Sequence, residues 1–242
     1  MISSAAAPAV VFDLDGTLVD SEPHYYEAGR RLLAAHGVPG FSWAEHARFI
    51  GIGTRETLAA LRREYGLTAS VDALLAEKNR LYLQSVRSGT EVFPEMRKLV
   101  EHLHACGHPL AVASGSSRGA IDAVLGATSL DELLPLRVSA EEVPHGKPRP
   151  DVFLEAARRL GVSPADCVAV EDAPAGAEAA RRAGMRCVAL PYLAEQAADP
   201  GFAGAGLLFP GGQRACDAQQ IYDWMTGRPA ADPPPSGGPQ RA

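Results

Sequence analysis

This chain of 242 residues has no excess of positive charge, few cysteines and no long apolar run. A formal net charge of −6 and a pI near 5.7 leave no basic surface for nucleic acid or an anionic membrane. The four cysteines form no C-x-x-C pair and have no histidine at metal-ligand spacing, so we expect reduced thiols, mostly in the core. No apolar stretch reaches the length of a membrane span, and residues 1–8 lack the positively charged start of a secretory signal. These absences predict a cytoplasmic protein with no nucleic-acid or membrane partner.

The composition is that of a globular protein, and the second half of the chain has an α/β pattern. With 46% hydrophobic and 21% charged residues, the chain can form one large domain, or one domain with an insert. From about Leu99 onward, short β-rich runs alternate with helical periodicity, which is typical of a parallel sheet covered on both faces. The predicted strands span 110–113, 167–170 and 187–190, and the predicted helices begin at Pro94, Pro150 and residue 173.

The stretch between the first strand and this α/β pattern has helical periodicity only, carried by leucine and tyrosine. An all-helical segment inserted there would project over the strand ends as a cap that gates access. We therefore predict a doubly wound parallel-sheet α/β core with an inserted all-helical cap. The core spans 1–20 and 89–226, the cap 21–88, and a disordered tail rich in proline and glycine 227–242.

The most informative motif is Asp13-Leu14-Asp15-Gly16-Thr17, which follows an apolar run at 10–12. Carboxylates two residues apart on a strand face opposite sides of a sheet, but where the strand ends both can converge. Ligand sites of open α/β sheets lie at such ends. By itself the motif could be a solvated turn, since Asp and Gly are ordinary turn residues. Three further polar clusters favour a site: Ser114-Gly115-Ser116, Gly146-Lys147-Pro148 and Glu171-Asp172.

These residue types meet the demands of phosphoryl transfer, which needs a nucleophile, a proton source and neutralisation of the phosphoryl oxygens. Asp13 can attack phosphorus to give an aspartyl phosphate. Asp15 can protonate the leaving oxygen and then deprotonate the attacking water. The pair therefore predicts covalent catalysis on a phosphomonoester.

The other clusters predict a Mg²⁺ site and a phosphate site. Crowded carboxylates repel one another, so we expect Asp13 and Asp172, supported by Glu171, to bind Mg²⁺. Lys147 supplies a cation, and the turn at Ser114-Gly115 supplies a hydroxyl and backbone N–H groups for the phosphoryl oxygens. Each cluster also has an ordinary explanation: a serine- and glycine-containing loop, a solvated lysine, or acids that favour a helix N-terminus. Their joint order on successive strand ends favours the site.

In this order the four motifs resemble the signatures of the haloacid dehalogenase superfamily, in its phosphatase branch with a helical cap after the first motif. The resemblance covers about residues 10–190. It implies a Rossmann-like core, Mg²⁺, Asp13 as nucleophile, and Asp15 as an acid/base that also ligates the metal through its backbone carbonyl. It also implies the principal further metal ligand and the phosphoryl-binding residues, which are Asp172, Ser114 and Lys147. The second aspartate argues against a true dehalogenase, because that branch lacks this acid.

The substrate depends on the cap, where the predicted contacts are Arg55 and Lys78. Arg55 lies at an expected helix start in Gly51-Ile52-Gly53-Thr54-Arg55, where N–H groups and a guanidinium could hold a polar or anionic group. Lys78 lies on a later cap helix. Either residue could instead be an ordinary solvated charge.

A phosphosugar mutase is the main alternative, because β-phosphoglucomutase-like members resemble this chain in similar cap residues. The chain departs from their pattern at Tyr25, where histidine is expected, and at Ser117, where lysine is expected. We therefore predict a hydrolase of a sugar phosphate or a similar small metabolite. Residues 139–191 especially resemble bacterial hexose-phosphate phosphatases, and the alanine- and arginine-rich helices indicate a high-GC bacterium.

Two other classes are also possible. A receiver-type signalling domain accepts phosphate on an aspartate of its third strand and has no helical cap, whereas here the candidate is on the first strand. A non-enzymatic binding descendant would be expected to lose an acid or the lysine, and all are present. We expect a monomer or weak homodimer.

Overall fold

The computed structural model of the protein describes residues 7–87 and 89–227. The predicted disordered tail at 227–242 lies outside these residues, apart from Gly227, which caps the last helix with a φ of 70°. Within the described ranges, no helix is both long and apolar enough to cross a membrane.

The strands form one six-stranded parallel sheet and one short antiparallel ribbon. In chain order they are β1 (Ala9–Phe12), β2 (Val19–Asp20), β3 (Glu91–Val92), β4 (Leu110–Ser114), β5 (Leu136–Ser139), β6 (Cys167–Glu171), β7 (Arg186–Ala189) and β8 (Leu207–Leu208). The sheet has the order β5-β4-β1-β6-β7-β8, and β2 pairs with β3. Phe12 is in register with both Val112 and Val170, so β1 is central and its carboxyl end lies beside those of β4 and β6.

Nine α-helices are found in the described ranges. They are α1 (Glu22–Ala35), α2 (Trp43–Ala47), α3 (Thr54–Tyr65), α4 (Val71–Val86), α5 (Pro94–Ala105), α6 (Arg118–Thr128), α7 (Asp151–Leu160), α8 (Pro174–Ala183) and α9 (Ala218–Thr226). Helices α5, α6 and α9 pack on one face of the sheet, and α7 and α8 pack on the other. The predicted doubly wound α/β core is therefore confirmed.

The two faces of the sheet differ in side-chain size. Val10 and Phe12 belong to a cluster with large aliphatic residues of α5 and α6. Val11 points to the other face, where alanines of the neighbouring strands meet Phe153 and the alanines of α8. Alternate residues of a strand face opposite sides, so each strand serves both clusters. Small residues let α8 approach the sheet closely, directly after the acids at the end of β6.

The predicted elements agree with the structure to within about one residue. Helix α5 begins at Pro94, α7 follows Pro150, and β7 begins one residue before the predicted 187. Three of the four cysteines are buried, as expected, and Cys106 is exposed. Six core elements, β2, β3, α6, β5, β8 and α9, have no counterpart among the predicted ones. Strand β8 has only two residues, too few for a pattern to be recognised.

The insert between β2 and β3 contains only helices in its described part, as predicted. Apolar side chains from α1, α3 and α4, including Leu32, Leu58 and Leu74, are fully buried. A capping box of Ser42 and Glu45 starts α2, and Gly66 ends α3 with a φ of 64°. The division of the chain at residues 21 and 88 stays a prediction.

Strands β2 and β3 bring the two ends of the insert side by side. Val19 is in register with Val92, and Asp20 with Glu91. The carboxylate of Asp20 accepts hydrogen bonds from the hydroxyl of Tyr192 at 2.8 Å and from Arg214 at 2.9 Å. The ribbon is thereby attached to the segments that follow β7.

Candidate active site

Asp13 lies at the carboxyl end of the central strand, and the sheet fixes its position. Its backbone N–H donates to the carbonyl of Val170 at 2.9 Å, so the ladder continues one residue beyond β1. The chain then leaves the sheet in a tight turn, in which the N–H of Gly16 donates to the carbonyl of Val19. The buried carboxylate of Asp13 is therefore held where the ends of three parallel strands meet.

Lys147 comes from the loop before α7 and places an ammonium group among these strand ends. Its Nζ donates to Oδ1 of Asp13 at 2.6 Å, to Oε1 of Glu171 at 2.5 Å and to the carbonyl of Ala113 at 3.0 Å. All three donor hydrogens of the ammonium are used. Burial alone lowers the pKa of Lys147, but Asp13 and Glu171 outweigh burial and raise that pKa above its usual range. The lysine is therefore charged at neutral pH.

Asp13, Glu171 and Asp172 form a buried acidic group beside Lys147. One carboxylate oxygen from each lies within 4.8 Å of those from the other two. Burial is the largest cause of the raised pKa of both aspartates, and the neighbouring carboxylates raise each pKa further. A single ammonium cannot neutralise three carboxylates, so the group needs more positive charge. Oxygen donors in this arrangement suit a hard divalent cation.

Two glycines let these acids lie against the backbone. Gly16 has a φ of 79°, and a Cβ there would overlap the carboxylate of Asp172, which accepts a hydrogen bond from Thr17 at 2.9 Å. A Cβ on Gly176 would overlap the carboxylate of Glu171. Gly16 belongs to the predicted motif. Gly176 ends the motif that contains Glu171 and Asp172 but was assigned no role, because a glycine in the first turns of a helix carries no sequence signal of what lies above it.

The carboxylate of Asp15 contacts the cap and the loop after β4. Its Oδ2 accepts hydrogen bonds from Ser116 at 2.6 Å and from Ser114 at 3.3 Å, and its Oδ1 accepts one from the hydroxyl of Tyr82 at 3.0 Å. The carboxylate is thus not one of the three in the acidic group. A metal contact through the backbone carbonyl of Asp15 stays a prediction.

Ser114 and Gly115 stand next to Asp15 at the end of β4. The Ser114 hydroxyl is fully buried, donates to Asp15 and accepts from the N–H of Ser116 at 3.0 Å. Gly115 is exposed and lines the same cavity as Asp13 and Lys147. Its backbone is therefore accessible to a bound anion, whereas the Ser114 hydroxyl must leave Asp15 to donate to one.

A cavity of about 360 Å³ lies between the strand ends and the cap helices. Cavities of this size hold small metabolites. Asp13, Asp15 and Lys147 line the core side, and residues of α1, α3 and α4 line the cap side. The rings of Tyr25 and Tyr82 stack with centroids 4.2 Å apart beside Asp15. The predicted core residues thus share one cavity with the cap.

Arg55 and Lys78, the two predicted cap residues, both line this cavity but differ in environment. The Arg55 side chain is 57% exposed, and its guanidinium pairs with Asp72 at 2.8 Å. Lys78 is only 5% exposed, and its ammonium lies 5.3 Å from the centroid of the Tyr25 ring. Burial lowers the pKa of Lys78 to about 8, although Glu22 opposes the shift. Lys78 is therefore not a solvated surface charge.

The cavity lining also includes residues that were not predicted as site residues, among them Glu22, Tyr25, His46 and Tyr82. The sequence singled out Tyr25 only as a departure from the mutase pattern. Tyr82 fits the apolar periodicity of α4, so only its hydroxyl distinguishes it from a core residue. Glu22 and His46 are 24 positions apart and share no motif, so no signal in a single sequence pairs them.

The chain is similar to known hydrolases over most of its length. Residues 7–184 match the family described as haloacid dehalogenase-like hydrolase. Fructose-1-phosphate phosphatase YqaB of Escherichia coli is 33% identical over 184 residues, which cover 76% of this chain and 96% of that protein. The bifunctional riboflavin kinase/FMN phosphatase of Arabidopsis thaliana is 33% identical over 191 residues, 77% of this chain. The chain spans only about half (49%) of that longer relative.

A solved structure has the same fold. CbbY from Rhodobacter sphaeroides, in complex with phosphate, superimposes with a TM-score of 0.75 at 27% identity, covering 86% of this chain and 95% of that one. A mutant form of the same protein has been solved in complex with xylulose-(1,5)bisphosphate, with the same TM-score, identity and coverage. Small phosphorylated ligands thus occur on the structural neighbour, at a similarity that extends over core and cap together.

Proposed function

Because this chain belongs to the haloacid dehalogenase-like hydrolases and is a phosphatase of their sugar-phosphate branch, we propose that it hydrolyses its substrate through an aspartyl phosphate on Asp13. The reaction depends on Mg²⁺. The substrate is a monoester of a sugar or of a similar small metabolite.

One observation carries the proposal: the Asp13 carboxylate lies buried at the strand ends, fixed by Lys147 at 2.6 Å and facing the cavity. A nucleophile must be held in place and kept from water to react efficiently with a bound ester. The Lys147 ammonium lies where it can also neutralise the oxygens of a phosphoryl group attacked by Asp13. The same lysine bonds Glu171, so the cation keeps its place when Asp13 is phosphorylated.

Mg²⁺ fits the acidic group by charge and by chemistry. The three carboxylates of Asp13, Glu171 and Asp172 exceed the single charge of Lys147, and their oxygens are the donors that Mg²⁺ prefers. Asp13 and Asp172 would hold the ion, with Glu171 in support and the backbone carbonyl of Asp15 as a further ligand. When bound, Mg²⁺ supplies neutralisation of the phosphoryl oxygens.

Asp15 is the proton carrier of the proposed reaction. It stands on the cavity side of the turn that carries Asp13, with both oxygens accepting hydrogen bonds, from Tyr82, Ser114 and Ser116. In its protonated form, Asp15 gives its proton to the leaving oxygen as Asp13 attacks phosphorus and the bond from phosphorus to that oxygen breaks, and the second step restores the proton. The ionised Asp15 then removes a proton from the water that hydrolyses the aspartyl phosphate. Ser114, the backbone at Gly115 and Lys147 hold the phosphoryl oxygens.

Residues of the cap bind the part of the substrate that is not the transferred phosphoryl group. The Lys78 ammonium has no hydrogen-bond partner among the described residues, and Arg55 stands at the cavity rim. We propose both as substrate contacts, Lys78 as the stronger, because Arg55 is exposed and already paired with Asp72. An ion pair of two exposed groups contributes little, so a substrate can displace Asp72 at small cost.

The two positions that depart from the mutase pattern serve other contacts. The Tyr25 hydroxyl lies 2.6 Å from Oγ of Ser116, and the Ser117 side chain caps α6 by accepting from the N–H of Ala120. Neither supplies the cation or imidazole expected of a mutase. Water is therefore the proposed acceptor of the phosphoryl group, rather than a second sugar hydroxyl.

Phosphate release from a panel of phosphosugars, with and without Mg²⁺, tests this function. We expect metal-dependent release by the wild type and none above background by Asp13→Asn, because the amide is not a nucleophile. Asp166→Asn is the matched control, since Asp166 is exposed and lies before β6, away from the cavity. Activity retained by Asp13→Asn would overturn the mechanism. Isomerisation of β-glucose 1-phosphate to the 6-phosphate without phosphate release would identify a mutase.

We also propose that the protein is a monomer or a weak homodimer and that it is located in the cytoplasm. Light scattering during size-exclusion chromatography measures the first. The relatives include a plant protein, so a bacterial source also stays a prediction.

A further inference from the structure

The cap side of the cavity contains a buried carboxylate–imidazole pair that the proposed phosphoryl transfer does not use. Nε2 of His46 lies 2.8 Å from Oε2 of Glu22, and both side chains line the cavity. Glu22 is 9% exposed and His46 is 6% exposed. Polar groups buried to this extent normally serve structure or a ligand.

The surroundings of His46 hold the pair rigidly. The imidazole packs among aromatic rings, with centroid distances of 5.7 Å to Tyr26 and 5.3 Å to Trp43. Glu22 begins α1 directly after the ribbon strand β2, so its backbone is tied to the core. A carboxylate fixed at both its backbone and one oxygen presents the other oxygen in one direction.

Glu22 and Lys78 offer the cavity one acceptor and one donor. Within residues 7–87 and 89–227, Oε1 of Glu22 and Nζ of Lys78 have no hydrogen-bond partner, and neither nitrogen nor oxygen is sealed from the cavity. Leaving such groups unpaired costs free energy, so a ligand that satisfies both binds favourably. A hydroxyl group can donate to the carboxylate, and a neighbouring hydroxyl can accept from the ammonium.

Charge argues against a second phosphate at this position. The Glu22 carboxylate would face the anion, and a second carboxylate, that of Glu56, lines the same cavity. Like charges held close together in a partly desolvated cavity repel strongly. Hydroxyl groups meet no such repulsion.

We propose that the Glu22–His46 pair, together with Lys78, binds hydroxyl groups at the uncharged end of the substrate and rejects a second phosphate there. The substrate is then a polyhydroxylated monophosphate, a sugar or cyclitol with one phosphate and neighbouring hydroxyls. This rests on the proposed function, since it concerns the substrate of the same site. Glu22 is the residue that determines the specificity, and His46 positions it.

The test compares two monophosphates with their bisphosphates. Fructose 1-phosphate and glucose 6-phosphate are assayed against fructose 1,6-bisphosphate and glucose 1,6-bisphosphate, with p-nitrophenyl phosphate as a substrate that lacks hydroxyls. The fructose pair or the glucose pair is used, whichever is hydrolysed faster. For that pair we expect the wild-type kcat/KM for the monophosphate to exceed that for the bisphosphate by at least about tenfold. In Glu22→Gln, which keeps the shape and removes the charge, we expect this ratio to fall at least about fivefold.

Glu27→Gln is the matched control, because Glu27 lies on the same helix, is partly exposed and pairs only with Arg30 among the described side chains. We expect it to keep the wild-type ratio. Melting curves show whether Glu22→Gln is folded, and the wild-type preference alone tests the proposal if that variant does not fold.

A wild type that prefers the bisphosphates would overturn the proposal, and so would a folded Glu22→Gln with both ratios within about twofold of the wild type. Failure of the proposed function is a separate result. It would appear as a wild type that releases no phosphate from any of these compounds, p-nitrophenyl phosphate included, in the presence of Mg²⁺.

Discussion

The core half and the cap half of the cavity use buried charge in opposite ways. In the core, the Lys147 ammonium donates all three of its hydrogens, to Asp13, to Glu171 and to a backbone carbonyl. Each of these three acceptors is fixed at the end of a strand. In the cap, Lys78 is also largely buried but has no such hydrogen-bond partner among the described residues. A saturated network holds its geometry through a reaction cycle, whereas an unsaturated one leaves capacity for a ligand. The core is therefore suited to chemistry and the cap to recognition.

The largest effect should come from breaking the core network with Lys147→Met. We expect kcat to fall by about 10³-fold on sugar phosphates and on p-nitrophenyl phosphate alike, because a preorganised cation at the reacting group is lost. Steady-state phosphate release measures this. Lys98→Met, which removes an exposed lysine paired with Glu95, should change nothing. A loss confined to sugar phosphates would mean that Lys147 belongs to recognition instead.

Gly176→Ala tests how closely the core is packed. The added methyl overlaps the Glu171 carboxylate, which must shift and disturb Lys147, so we expect kcat to fall by about tenfold to a hundredfold and the Tm to drop. The control is Gly126→Ala in α6, where a methyl meets open space and should stabilise the helix by about 0.5–1 kcal/mol. Equal melting curves for the two variants would contradict the contact.

Tyr82→Phe probes a direct hydrogen bond from the cap to Asp15. It removes the hydroxyl that donates to Asp15 at 3.0 Å, and a hydrogen bond to a charged group contributes about 1.5–3 kcal/mol. We expect kcat to fall by about tenfold on every substrate, because Asp15 is common to all of them. Tyr65→Phe is the matched control, since that hydroxyl donates to Glu45 away from the cavity. An effect on KM alone would assign Tyr82 to recognition.

The smallest effect should be a pH dependence from the cap. Lys78 faces Glu22 and the Tyr25 ring, and burial lowers its pKa to about 8. Below that pH the ammonium is charged and can donate; above it the donor charge is lost, so KM for a sugar monophosphate should rise about threefold between pH 7 and 9. We expect Lys78→Met to abolish this rise. Dividing the KM for the sugar monophosphate by the KM for p-nitrophenyl phosphate at each pH cancels the titrations of core groups, which affect both substrates.

The lowered pKa of Lys78 also predicts how the stability of the fold changes with pH. Lys78 has a lower pKa in the folded chain than in the unfolded one, so the unfolded state binds more protons between about pH 8 and 10.5. The contribution of Lys78 to the free energy of unfolding therefore increases with pH through that range. Denaturant titrations of the wild type and Lys78→Met at the two ends would show it.

The core half could be predicted from sequence because its residues follow strands. Asp13, Ser114 and Glu171 each end an apolar run, and parallel strands must bring these ends together. The α/β order therefore specified which motifs meet before any distance was known. Lys147 needed the resemblance as well, since no strand precedes it directly.

The cap half could not be predicted in the same way. Helix packing angles and loop lengths decide which side chains of α1, α2 and α4 meet, and a single sequence records neither. Glu22 and His46 therefore had no visible relation, and Lys78 was indistinguishable from a solvated lysine. The orientation of Asp15 toward Tyr82 likewise depends on where the cap lies over the core.

The pairing of β2 with β3 bears on how the insert can be exchanged in evolution. Because Asp20 and Glu91 stand opposite each other, the chain enters and leaves the insert about one strand spacing apart, near 4.8 Å. A recombination event that replaced everything between them would leave Asp13, Lys147 and Glu171 in place, whereas the hydrogen bond from Tyr82 to Asp15 would be lost unless the new insert supplied a similar donor. The specificity for the substrate can then change by exchange of the whole insert rather than by single substitutions. A short turn joining Asp20 to Glu91 should yield a minimal core that still folds.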